Sequence, residues 1–251
     1  MKTIIFSDIH GNLEALECFK AVVSEIEHDR IFCLGDIVGY GANPNECVEY
    51  VRQNNITSVS GNHDDVVSSR VEPDDFNPDA RRAILWCREK TTKNNRKFLR
   101  SLEDRLIIES PERKFMLVHG SPYDKDEYIL SSHSAVRSFA VMQREAIDFA
   151  FVAHTHQPCV WVWKSGSVAG MLQPTDENRQ FRFEPGLSAI INAGSVGQPR
   201  DSDPRGCFVI WDEVEAAIEF VRFIYDVRAA QQKIMEADLP IFLADRLAAG
   251  Y

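Results

Sequence analysis

The chain has 251 residues, 44% hydrophobic and 26% charged, enough for one sizeable core of ordinary globular composition. No run approaches the roughly 20 apolar residues of a membrane span, and the start of the chain passes straight into a strand-like run with no secretion signal, so a cytoplasmic protein without a membrane partner is expected. Lys and Arg total 28 against 38 Asp and Glu, a net charge of -10 that offers no basic footprint for duplex nucleic acid.

In chain order, near-continuous apolar runs predict buried strands at 3–7, 30–34, 56–60, 114–118, 149–153 and 188–191. Helical spacing follows the first of them: Leu13, Leu16, Phe19, Val22, Val23 and Ile26 recur every three or four residues behind a capping Asn12. Further helices are predicted at 45–53, 79–90, 134–145 and 226–237. Short runs at 160–163, 168–172, 181–183, 207–211 and 217–223 are broken by turn residues and predict hairpins. The expected fold is α/β, a single domain over 1–251, with a mainly parallel sheet accompanied by a more antiparallel one. Residues 66–105 are expected to form lid-like helices over the site. The 6 cysteines are scattered, without a C-x-x-C pair, and are expected to be reduced, buried thiols.

Five predicted strands deliver metal-ligating residue types at their carboxyl ends: Asp8 and His10, Asp36, Asn62, His119, and His154 with His156. Open α/β sheets place ligands at that edge. One such residue after a strand is usually a cap or turn former; five strand ends together point to a site. Two carboxylates, one amide and four imidazoles are too many donors for one tetrahedral ion and fit two ions sharing a carboxylate. Oxygen and imidazole without thiolate favour Mn, Fe, Zn or Co. Two ions about 3.5–4 Å apart bind the attacking and leaving oxygens of an in-line displacement. His28 and His133 lack this setting and are expected at the surface.

The ordered blocks Asp8-Ile9-His10-Gly11-Asn12, Gly35-Asp36, Gly61-Asn62-His63-Asp64, His119-Gly120-Ser121-Pro122 and His154-Thr155-His156 resemble the calcineurin-like metallophosphoesterase superfamily. The resemblance is closest to its small prokaryotic phosphodiesterase branch, which also shows the pattern of residues 194–200. It implies two mixed β-sheets packed as a sandwich flanked by helices. Asp8, His10 and His156 would hold one metal, and Asn62, His119 and His154 the other, with Asp36 bridging. His63 would face the substrate as the catalytic imidazole.

Two departures stand out: Ala153 replaces a usual Gly, and Gly39-Tyr40 stand where the superfamily's protein phosphatases carry Asp and Arg. The latter argues against a protein phosphatase and against diadenosine tetraphosphatases that keep the Arg. Arg200 could grip substrate instead, or pair with Asp201 or Asp203. Trp161 and Trp163 read as cross-strand packing sooner than as a base-stacking platform. The implied activity is hydrolysis of a phosphodiester or nucleotide-type phosphoanhydride by metal-bound hydroxide, on a small phosphorylated substrate. Phosphomonoester or dinucleoside polyphosphate hydrolysis is the alternative, and a non-catalytic scaffold of the same fold ranks lower. The oligomeric state is left open.

Overall fold

The structure is a computed structural model describing residues 1–111 and 113–251. The first half contains β1 (Lys2–Phe6), α1 (Leu13–Ser24), β2 (Arg30–Cys33), α2 (Pro44–Gln53), β3 (Thr57–Ser58), α3 (Asn62–Val67), α4 (Pro78–Lys90), α5 (Lys93–Arg100), β4 (Arg105–Glu109) and β5 (Lys114–Val118). The second contains α6 (Ser132–Arg144), β6 (Phe149–Val152), β7 (Cys159–Lys164), β8 (Ser167–Leu172), β9 (Gln180–Arg182), β10 (Ser188–Asn192), β11 (Gly206–Asp212), β12 (Ala217–Phe223), α7 (Val227–Glu236) and α8 (Ile241–Ala249).

The strands form two six-stranded sheets, ordered β3-β2-β1-β11-β12-β9 and β4-β5-β6-β10-β7-β8. Both are mixed, as the family resemblance implied. Strands β1, β2 and β3 run parallel in one sheet, and β5, β6 and β10 in the other; the hairpin strands add antiparallel edges to each. The expected division into one parallel and one antiparallel sheet is therefore corrected. Periodicity reports which faces of a strand are buried and carries no information about which sheet it joins.

The sheets pack face to face through Ile5, Phe32, Phe149, Phe151, Val209 and Trp211. The outer face of the first sheet, with Ile4, Phe6 and Phe208, lies under helices α1 to α5, α7 and α8. The outer face of the second lies under α6, where Phe139 and Met142 meet Met116, Ala150 and Trp161. Trp161 is buried there, and Trp163 packs 5.3 Å from Phe139, so these tryptophans belong to packing and offer no base platform. In α1 the cap Asn12 accepts from the Ala15 amide at 3.1 Å, and Ala15, Leu16, Phe19 and Val23 are buried. The cysteines are free, and all but the half-buried Cys18 are buried.

The strand expected at 56–60 shortens to Thr57–Ser58. Its continuation leaves the ladder because the Ser60 amide turns to the Glu103 carbonyl at 2.8 Å. The stretch 66–105, expected as helices over the site, holds α4 and α5. Ala80, Ala83, Ile84, Cys87 and Leu99 of α4 and α5 are buried in the main core. Only the connection before α4 and its first turn reach the cavity described below, through Val71, Glu72, Asp75, Phe76, Asn77 and Ala80.

Candidate metal centre

The carboxyl ends of β1, β2, β5 and β6 and the start of α3 meet along one edge of the sandwich. Tight backbone bonds hold the loops: Asp8 N–H donates to Gly35 O, and His10 N–H to Asp36 O, each at 3.0 Å. The Ala153 amide donates to His119 O at 2.8 Å. Asp8, His10, Asp36, His154 and His156 all have φ between 50° and 65°, in the left-handed region that non-glycine residues rarely occupy. Such conformations cost about 1–3 kcal/mol each and survive only where the surroundings over-determine them.

The ligand atoms fall into two groups, Asp8, His10, Asp36 and His156 in one and Asp36, His119 and His154 in the other; within each they lie within 4.8 Å of one another. Asp36 belongs to both, the place the family resemblance gave it. Each imidazole donates one ring nitrogen to a backbone carbonyl: His10 Nδ1 to Val38 at 3.1 Å, His119 Nδ1 to Leu34 at 2.8 Å, His156 Nδ1 to Gln198 at 2.6 Å and His154 Nε2 to Asp126 at 3.1 Å. This fixes the tautomers and turns the four remaining lone pairs inward. They confront one another, His10 Nε2 to His156 Nε2 at 3.2 Å and His119 Nε2 to His154 Nδ1 at 3.1 Å. Both oxygens of Asp8 and Oδ1 of Asn62 are buried without a hydrogen-bond partner. Paired acceptors facing each other and orphaned buried oxygens need cations between them. The donor set fits two metal ions.

Electrostatics agree. Burial opposes the charge of Asp8 and Asp36, yet the surrounding imidazoles hold both carboxyls well below the usual range. Burial opposes the charge of His119, yet Asp36, Asp8 and the Leu34 carbonyl together push it up to about 10. Burial pulls His154 and His156 down to about 3 and about 4, keeping them neutral and ready to ligate.

His63 is buried, with its backbone N–H on Asp36 Oδ1 at 2.9 Å. Its Nδ1 has no partner and lies against Gly39, whose absent Cβ would stand only 2.7 Å away, leaving Nε2 as the nitrogen that can meet the cavity. A side chain at position 39 would occupy this space, which accounts for Gly where other branches carry Asp. Burial lowers the His63 pKa well below the usual value despite Asp36, which favours the neutral imidazole in the free site.

A cavity of about 460 Å³ opens above the centre, walled by His63, Tyr40, Phe76, Tyr128 and Arg200 among others. Arg200 donates to Gln198 Oε1 at 2.7 Å and approaches Tyr40 Oη at 3.4 Å. The alternative pairing is not formed, because Asp201 is taken by Arg222 and Asp203 by Arg205. Tyr40 packs its ring 4.6 Å from both His10 and His63. Ala153 is buried in the core between the sheets, and His154 and His156 after it both take part in the donor clusters.

Sequence reasoning missed the residues that hold the loops. Asp64 accepts from the amides of Ile37 and Gly61 at 3.0 and 3.1 Å, tying the Asp36 loop to α3. Asn192, at the end of a sixth strand, donates to Ala153 O at 2.6 Å, and Ser195 Oγ to Asp8 O at 2.9 Å. Asn192 carried the same strand-end signal as the ligands.

Comparison with known proteins bears on the same residues. Residues 1–215 match the family model of the calcineurin-like phosphoesterase superfamily domain. An uncharacterized protein of Methanocaldococcus jannaschii is 40% identical over 98% of this chain and 97% of its own. A symmetrical bis(5'-nucleosyl)-tetraphosphatase of Actinobacillus pleuropneumoniae is 30% identical over 47% of this chain and 44% of its own. The crystal structure of a metallophosphoesterase from Sphaerobacter thermophilus covers 100% of this chain and 99% of its own, with 37% identity and a TM-score of 0.83. The ligand clusters lie wholly inside the matched residues, and the chain belongs to the calcineurin-like phosphoesterase superfamily.

Proposed function

We propose that the protein is a dinuclear metal-dependent phosphoesterase that hydrolyses a phosphodiester or nucleotide-type phosphoanhydride in a small phosphorylated substrate. The observation that carries this reading is the pair of buried donor clusters joined by Asp36 beneath an open cavity. Asp8, His10, Asp36 and His156 would hold one ion and Asp36, Asn62, His119 and His154 the other. When bound, two such ions supply positive charge to the phosphoryl oxygens and make water acidic enough to lose a proton near neutral pH.

The remaining work belongs to the chain. Arg200, steadied by Gln198 and Tyr40, donates to a phosphoryl oxygen from the side of the cavity. His63 Nε2–H faces the leaving oxygen and gives it a hydrogen bond that strengthens as negative charge grows there. Rings from Tyr40 and Phe76, 4.6 and 4.9 Å from His63, keep that imidazole in one orientation. A second reading, dinucleoside polyphosphate hydrolysis, is supported by the likeness to the tetraphosphatase over about half of the chain.

The test is metal stoichiometry together with Mn-supported hydrolysis of bis(4-nitrophenyl) phosphate and 4-nitrophenyl phosphate. The expected result is two ions per chain and faster turnover of the diester. Asp36→Asn should lose at least one ion, and His63→Ala should lower kcat by about 10²–10⁴-fold with both ions retained. A metal-loaded protein that turns over neither ester nor a dinucleoside tetraphosphate would overturn the reading.

A further inference from the structure

Asp65, a buried carboxylate in α3, stands beside the metal centre without belonging to either donor cluster. It is 2% exposed and is held from three sides. Its Oδ1 accepts from Ser60 Oγ at 2.5 Å and pairs with Arg70 Nη1 at 2.9 Å, while Oδ2 pairs with Lys125 Nζ. Arg70 and Lys125 also share Asp104 Oδ1, at 2.6 and 3.3 Å. Ser60 and Arg70 flank α3 in sequence, so their bonds serve the two ends of that helix. Lys125 comes from the loop between β5 and α6 instead. Among the described residues, its contact with Asp65 is the one ion pair between that loop and α3.

Three ligands of the second group meet at this junction. Asn62 opens α3, three residues before Asp65. His119 opens the loop, and the next residue, Gly120, lies so close to the Lys125 carbonyl that a Cβ on it would collide. His154 Nε2 donates at 3.1 Å to the carbonyl of Asp126, the residue after Lys125. The first group is braced elsewhere, His10 by the Val38 carbonyl and His156 by that of Gln198. Other bonds fold the loop upon itself and onto α6: Ser121 Oγ donates to Glu127 Oε2 at 2.6 Å, and Arg137 pairs with Glu127. None of these sets the loop's position against α3. Charge-assisted bonds are short and directional, and bonds that orient metal ligands from outside typically change metal affinity about 10–100-fold when removed.

We propose that Lys125 is a positioning residue for the second metal ion. Paired with Asp65, it locks the loop that starts at His119 and carries the Asp126 carbonyl against α3, and so brings Asn62, His119 and His154 together. The proposal rests on the dinuclear reading of the centre given above. The ligands of the first ion lie outside this clamp, so the two ions respond to it unequally.

Single-ion backgrounds separate the two groups. His156→Ala removes a donor from the first and His154→Ala one from the second, and calorimetry on the metal-depleted chain reads Mn²⁺ affinity in each. Lys125→Met should raise Kd about tenfold in the His156→Ala protein and by less than about twofold in the His154→Ala protein. Lys125→Arg should leave both values unchanged. Asp65→Asn weakens the same pair from its other side and should reproduce the selective loss. Arg70→Met takes the other cation from Asp65 but leaves the loop tied, so it should lower the melting temperature without changing either Kd. Equal losses in the two backgrounds, no loss in either, or an Arg70→Met loss matching that of Lys125→Met would overturn the positioning role and leave the metal centre standing. Otherwise unmodified protein that binds no Mn²⁺ would overturn the centre itself. Turnover enters none of these measurements, so failure of the hydrolase reading alone leaves their outcome intact.

Discussion

Of the seven side chains that converge, five (Asp8, His10, Asp36, His154 and His156) sit on backbones in a conformation that few other residues share. Asp8 and His10, and likewise His154 and His156, are two apart in sequence and would point to the same face of a regular strand. Placing the strand's exit in the left-handed region turns both members of each pair inward around a loop. The ring nitrogens are then assigned by backbone carbonyls, so proton placement follows from the fold. This has a consequence for pH in the metal-free protein. His154 and His156 titrate at about 3 and about 4 in the folded state against about 6.5 when unfolded, so the unfolded chain takes up protons first as pH falls. Their contribution to stability is complete above pH 6.5 and is lost as pH drops towards 4. His119 acts oppositely: raised to about 10, its contribution is complete below pH 6.5, constant through the acid window, and lost as pH rises towards 10. The melting temperature of metal-depleted protein should therefore fall on both sides of about pH 6.5, and saturating Mn²⁺ should flatten the profile by competing with those protons. A profile in metal-depleted protein that stays flat from pH 4 to 9 would contradict these assignments. The ligand types were legible in the sequence; their φ values and tautomers were not, because both depend on carbonyls supplied by loops far away in the chain.

At the level of elements, the loop after β2 does the work that separates this chain from other branches. Gly39 has φ 146°, and a Cβ on it would come within 2.5 Å of His10 Nδ1 and 2.7 Å of His63 Nδ1. Gly39→Ala is expected to destabilise the protein by about 1–3 kcal/mol in urea unfolding, combining backbone strain with the collision. It should also lower kcat by displacing His63. A fully active, fully stable variant would show that the loop can move aside. Gly61 makes a second close approach, its missing Cβ facing Asp36 Oδ1 at 2.1 Å, and so lets α3 start directly against the bridging carboxylate. Strong apolar runs made the central strands legible, and Asn12 with its periodic followers made α1 legible. Helix α3 escaped notice, and α5 was expected only as an unspecified part of the helical stretch 66–105. The first has only six residues, and the second, Lys93–Arg100, buries only Asn95 and Leu99, so neither carries a periodic apolar face. Edge strand β4 was hidden in the same way by its alternation of exposed and half-buried positions.

On the scale of the molecule, each donor cluster spans both sheets. Asp8, His10 and Asp36 leave the first sheet and meet His156 from the second; Asp36 likewise meets His119 and His154. The packing between the sheets therefore sets the distance between the halves of the centre. Trp211 fills that interface, fully buried, with its ring 4.7 Å from Phe149 and 5.6 Å from Phe151. Trp211→Ala should cost about 3–5 kcal/mol in guanidinium unfolding of the metal-free protein. It should also weaken metal binding measured by competition with a chelator, since a relaxed interface lets the clusters drift apart. Metal affinity equal to wild type would mean that the loops alone hold the geometry. The sequence by itself determined the candidate donor residues, the strand ends that present them and, through its ordered motifs, the superfamily, because these depend on residue types at short separations. Tertiary structure alone decided that the parallel strands divide between two mixed sheets, that Asn192 and Asp64 brace the loops, and that Lys125 meets Asp65 from another loop. Those are contacts between residues far apart in sequence, and local periodicity holds no record of which distant surface each will meet.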